Sequence, residues 1–101
     1  MARIQSARVE SDLAIHPGEL LAEELEVRGM TQRGLAESIG RPIQAINEIV
    51  KGKKRITAET AVQLEKALDV PAHLWLNLQS RYELTLARQA ERERAGTASS
   101  E

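Results

Sequence analysis

The chain contains no cysteine and no phenylalanine, and its aromatic side chains are one tryptophan and one tyrosine. The first absence excludes a disulfide framework and any thiolate metal site. The second leaves the core to leucine, isoleucine, valine and alanine, a composition that favours several short helices over a sheet. No run of about 18 apolar residues occurs, so no membrane-crossing helix is expected, and the N-terminal stretch lacks the apolar core of a secretory signal. The expectation is a single small cytoplasmic domain. His16 and His73 have neither a second histidine one turn away nor carboxylates at metal spacing, so neither metal nor cofactor is expected. No serine or threonine has a recognisable base and orienting group, and enzymatic activity is not expected.

Charge is low overall but unevenly placed. The net charge is −1, yet Arg28 to Lys66 holds eight basic and four acidic residues, a balance of +4, while the remainder carries −5. A phosphate responds to the local balance, because screening acts over about 8–10 Å.

The basic segment contains a pattern with geometric meaning. Counting from Gln32, Leu35 and Ala36 fall at positions four and five, Gly40 at nine, Ile46 at fifteen and Ile49 at eighteen. This is the spacing of a helix-turn-helix. Ala36 must be small where a second helix crosses, Gly40 suits a turn needing positive φ, and Ile46 with Ile49 defines a buried face. The outward residues of the second helix are then Pro42, Ile43, Gln44, Asn47, Glu48 and Lys51.

Four of these are candidate base contacts. Gln44 and Asn47 have amides suited to adenine N6 and N7, and Ile43 could meet a thymine methyl. Glu48 could accept from cytosine N4 or, alternatively, repel phosphate and sharpen the register. Thr31 and Gln32, at the start of the preceding helix, are candidate phosphate contacts together with the free backbone N–H groups. Lys51, Lys53, Lys54 and Arg55 follow as further phosphate contacts.

Five helices are expected, giving an all-α domain over residues 15–90. His16-Pro17-Gly18-Glu19 opens the first and Gly29 stops it; Thr31 caps the second, which runs to about Ile39. Pro42 opens the third and Gly52 ends it. Thr57 caps the fourth, in which Ala61, Leu64 and Leu68 share a face, and Asp69-Val70-Pro71 breaks the chain before the last. That last helix is dense enough in apolar residues to serve both core and partner subunit, so Trp75, Leu78, Tyr82 and Leu86 are the candidate dimerisation residues. For Trp75 a place as core anchor is the other reading. Residues 1–14 are expected to form a flexible arm, and 91–101 a disordered tail.

Taken together, I-H-P-G-E-L-L at 15–21, the helix-turn-helix, I-N-E-I-V-K-G-K-K-R-I-T at 46–57, T-A-x-x-L at 60–64 and L-W-L-N-L-Q at 74–79 resemble the HigA-type antitoxins of the XRE, λ-repressor-like superfamily. The resemblance covers roughly residues 15–90. It implies a five-helix domain, a twofold homodimer on a palindromic double-stranded operator, and a cognate HigB-type mRNA endonuclease toxin that is neutralised while the shared operon is repressed. Residues 1–14 and the acidic first helix (Glu19, Glu23, Glu24, Glu26) are the candidate toxin contacts, on charge complementarity. A stand-alone XRE-family regulator without a toxin is the alternative. Three positions depart from the family pattern. Arg41 replaces an apolar residue, which implies either a differently packed turn or a side chain that reaches DNA. Pro42 replaces a capping Ser or Thr, and Asp69 stands where glycine is common.

Overall fold

The computed structural model describes residues 13–99 and consists, over that span, of five helices without a strand. They are α1 (Pro17–Arg28), α2 (Gln32–Ile39), α3 (Ile43–Val50), α4 (Ala58–Leu68) and α5 (Ala72–Ser99). Short connections follow from local chemistry. Thr31 Oγ1 accepts the Gly34 N–H at 2.9 Å, and Thr57 Oγ1 accepts the Thr60 N–H at 3.3 Å, which satisfies donors that the first turn leaves orphaned. Helix α2 ends at Gly40, whose φ of 74° turns the chain into α3. Asp69 closes α4 in the same left-handed region at φ 58°, a conformation that aspartate tolerates better than most side chains. Pro42 precedes α3 with no side-chain capping bond.

Two expectations about the ends need comment. The arm expected over 1–14 lies outside the described residues except for Leu13 and Ala14. The tail expected to be disordered from residue 91 is instead helical through Ser99 as a continuation of α5. The stretch is rich in alanine, glutamate and arginine, all strong helix formers, and an Arg94–Glu91 pair at 2.7 Å spans one turn of it. Residues 100–101 lie outside the described part.

One apolar core joins all five helices: Leu21 and Leu25 of α1, Leu35 and Ala36 of α2, Ile46 and Ile49 of α3, Ala61, Leu64 and Leu68 of α4, and Trp75 of α5, with Ile56 and Val70 from the connections. Trp75 is 0% exposed and heads the fully buried side chains. The reading that put it at a subunit boundary is therefore corrected: at the start of α5 its indole fills the centre of the protomer.

The orientation of α1 depends on a close approach. A Cβ built on Gly18 would stand 1.9 Å from the Ile49 carbonyl oxygen and 3.0 Å from His16 Nδ1. Glycine is thus required by space, which lets the first turn of α1 abut the C-terminal end of α3. A methyl there must push the two helices apart, since the obstacle is backbone and has no rotamer to change. Gly18→Ala is expected to cost about 1–3 kcal/mol, read as a lower melting temperature by circular dichroism.

Candidate nucleic-acid interface

Helix α3 turns Ala45, Ile46 and Ile49 into the core and leaves Ile43 and Gln44 exposed, with Asn47 and Glu48 half-buried. Ile43, at 40% exposure, is an apolar side chain held at the start of an otherwise polar face. The four candidate base contacts therefore lie on the outward side of one helix. Asn47 is not free to rotate: its Nδ2 donates to Gln32 Oε1 at 3.1 Å. The bond joins the first residue of α2 to the middle of α3 and fixes which way the Asn47 amide faces. It leaves the Gln32 amide nitrogen and one Asn47 N–H available for an outside acceptor. Thr31, whose hydroxyl caps α2, is exposed beside them.

The segment after α3 carries the positive charge. Lys51, Lys53, Lys54 and Arg55 are all exposed. Its backbone is tied to the end of α3, because the N–H groups of Lys51, Gly52 and Lys53 donate to the carbonyls of Asn47, Ile49 and Glu48 at 3.0, 3.0 and 2.8 Å. At its other end the Ile56 N–H donates to Gln79 Oε1 at 2.8 Å. Gln79 is 3% exposed, and its Nε2 donates in turn to Glu83 Oε2 at 3.0 Å. That same oxygen accepts from Arg55 Nε at 2.9 Å. Arg55, expected at a phosphate, thus has its Nε turned onto α5. The Arg55 hydrogen bond first, and the Gln79 bond second, hold the Glu83 carboxyl below the usual carboxylate range.

His16 supports this segment from below. Its Nδ1 accepts the Gly18 N–H at 2.8 Å, so the ring proton is assigned to Nε2. The Lys54 backbone lies close enough to the ring to favour its charged form. The ring meets Tyr82 edge-on, with centroids 4.8 Å apart and planes at 78°. Burial lowers its pKa from the ordinary histidine value, against smaller opposing effects of the Lys54 backbone and the Glu19 charge.

Arg41 does not extend outward. Its Nε donates to Gln63 Oε1, and its guanidinium lies 3.7 Å from Glu59. The arginine fastens the α2–α3 turn to α4.

Of the expected dimerisation residues, Leu78 and Tyr82 are half-buried and Leu86 is 40% exposed. Leu78 and Tyr82 line a groove of about 440 Å³ together with Leu13, Ile15 and Leu84. Trp75, as described, lies elsewhere.

Sequence reasoning missed Gln79, Glu83 and Gln63. For Gln79 the signal was present, since it falls four residues after Trp75 on the same buried face, where a lone amide must find partners. Glu83 and Gln63 looked like ordinary surface residues.

With this geometry in place, residues 21–75 match the helix-turn-helix family, and the chain belongs to it. It is similar to virulence-associated protein I of Dichelobacter nodosus, at 43% identity over 75% of this chain and 71% of that protein. Two solved structures share the fold and most of the length. An addiction module antidote protein of the HigA family from Coxiella burnetii has 36% identity and a TM-score of 0.74, covering 82% of this chain and 91% of that one. Pseudomonas aeruginosa antitoxin HigA with the higBA promoter has 33% identity and a TM-score of 0.76, with the same coverage of 82% and 91%. The resemblance to HigA-type antitoxins read from the sequence is thereby established.

The amide that joins α5 to the segment after α3 is open to test. Gln79→Ala leaves the buried Ile56 N–H without its acceptor, at an expected cost of about 1–3 kcal/mol. Urea titration of the variant should show a lower midpoint with an unchanged slope.

Proposed function

We propose that the protein is a sequence-specific DNA-binding antitoxin that places α3 in the major groove, represses its own operon as a homodimer and neutralises a cognate mRNA endonuclease toxin. The observation that carries the DNA reading is the arrangement on α3. Ile43 and Gln44 are exposed, Asn47 is oriented by Gln32, and the basic segment Lys51–Arg55 is anchored directly behind them. In the Pseudomonas aeruginosa relative the same fold is seen with a promoter, which supports operator DNA as the partner here. In mechanism, Gln44 and Asn47 read base edges while Ile43 packs on a thymine methyl and Glu48 accepts from cytosine or excludes misplaced phosphate. Thr31, Gln32, Lys51, Lys53 and Lys54 hold the backbone, with the terminal guanidinium nitrogens of Arg55.

Dimerisation is assigned to apolar residues of α5, the half-buried Leu78 and Tyr82 and the exposed Leu86. A twofold pair would set two recognition helices about one turn of DNA apart, and the operator would be palindromic. Toxin neutralisation rests on the HigA likeness and on the acidic α1. Co-expression with the neighbouring reading frame tests it. Co-elution of the two proteins supports the antitoxin reading, and a homodimer that ignores its neighbour leaves a regulator acting alone.

Gln44→Ala is expected to cost about 1–3 kcal/mol at the operator and to relax one base position, whereas Lys53→Ala weakens binding uniformly across sequences. Mobility-shift titration against single-base operator variants separates the two. Equal losses for Gln44→Ala on every duplex would remove it from the reading set.

A further inference from the structure

His16 lies outside the helix-turn-helix, yet it touches four parts of the fold at once. Its Nδ1 caps α1 through Gly18. The Lys54 backbone lies near the ring. Its ring stands edge-on to Tyr82 of α5. A Cβ on Gly52 would come to 3.7 Å from its Cγ, so the turn that follows α3 lies directly against the imidazole. It is only 6% exposed. A helix cap alone would need none of the last three contacts, and a serine or aspartate would supply the cap as well. What the imidazole adds is a buried ring that lies against the Gly52 turn and meets Tyr82 of α5.

We propose that His16 is a positioning residue for phosphate binding: set between the α1 cap at Gly18, the turn at Gly52 and Tyr82, it fixes the turn that leads into Lys53 and Lys54 so that their ammonium groups meet DNA together. The proposal rests on the DNA-binding reading above. The segment is already held at its two ends, by the carbonyls of α3 and by Gln79. His16 is the side chain against which the turn at Gly52, between those ties, lies. Lysine side chains are long and flexible, so a defined backbone beneath them limits how much freedom is lost on reaching a phosphate.

The neutral ring is required. Protonation would turn Nδ1 into a donor facing the Gly18 N–H and break the cap. The groups bearing on the ring are Glu19 from α1, Lys54 from the basic segment and Tyr82 from α5. Glu19 and the Lys54 backbone favour the cation, and burial opposes it more strongly. With the folded-state pKa lowered, the arrangement is complete above the ordinary histidine value of 6.5 and is lost as pH falls through the lower, folded one.

The decisive variant is His16→Asn. Asparagine is a good N-cap, so the fold is retained, but it cannot pack against the Gly52 turn and Tyr82 as the ring does. The measurement is fluorescence anisotropy of the full chain on a mixed-sequence duplex across a salt series, since phosphate contacts are read without an operator. The expected result is a folded variant with a somewhat lower melting temperature, a roughly tenfold weaker Kd and a log–log salt slope smaller by about one to two, because each lost phosphate contact removes about 0.9 from it. Wild-type affinity and slope in the variant would overturn the proposal. If the variant unfolds, the wild-type protein answers instead. Its slope should shrink between pH 7.5 and a pH below the folded-state pKa, and a constant slope would overturn the proposal. Failure of the wild-type protein to bind DNA at all would contradict the DNA reading itself, a distinct outcome.

Discussion

The orientation of α3 is set at its C-terminal end, where the first turn of α1 lies against the Ile49 carbonyl. Only a residue without a side chain fits at Gly18, and the neighbouring His16 caps α1 with the same imidazole that meets the segment after α3. Buried Leu21 and Leu25 then lock α1 over Ile46 and Ile49 in the common core. The exposed face of α3 takes its direction from this junction and from the burial of Ala45, Ile46 and Ile49 on the opposite side. A surface that reads bases needs such rigidity, because side chains placed loosely lose discrimination before they lose affinity.

Polar side chains extend this control outward. Gln32 orients Asn47 from α2, Arg41 ties the turn to Gln63 and Glu59 of α4, and Gln79 with Glu83 ties the basic segment to α5. The first bond lies within the motif, and the others link it and the basic segment to α4 and α5. The ion pairs among them are exposed and contribute little to stability by themselves. Their effect is geometric. The Gln79 amide is the exception, since it is buried and satisfies a backbone donor that water cannot reach. Helix α5 thus closes the core with Trp75 and holds the basic segment with Gln79 and Glu83, while Leu84 and Leu86 farther along it are exposed.

Much of this was legible in the residues. Helix boundaries followed from capping residues and glycines, and Ile46 with Ile49 gave the buried face of α3 through its period alone. The exposed positions of Ile43 and Gln44 followed directly from that. Pairwise side-chain bonds were not legible, because Arg41–Gln63 and Arg55–Glu83 join residues far apart in sequence, and nothing local marks a surface glutamine or glutamate as a partner. Trp75 was ambiguous for a related reason. A helix with apolar residues on most of its circumference does not reveal which side faces inward until its neighbours are in place. The tail erred in the opposite direction: its polarity suggested disorder, whereas its alanine, glutamate and arginine content favours helix, and the helix continues to Ser99.

The central claim is that α3 reads DNA in symmetric pairs. Selection of bound duplexes from a random-sequence library by the full-length protein tests it most directly. The account predicts enrichment of a palindrome whose half-site centres lie about one helical turn, roughly 10 base pairs, apart. A pool that shows no enriched sequence, or a single unpaired half-site, would contradict it.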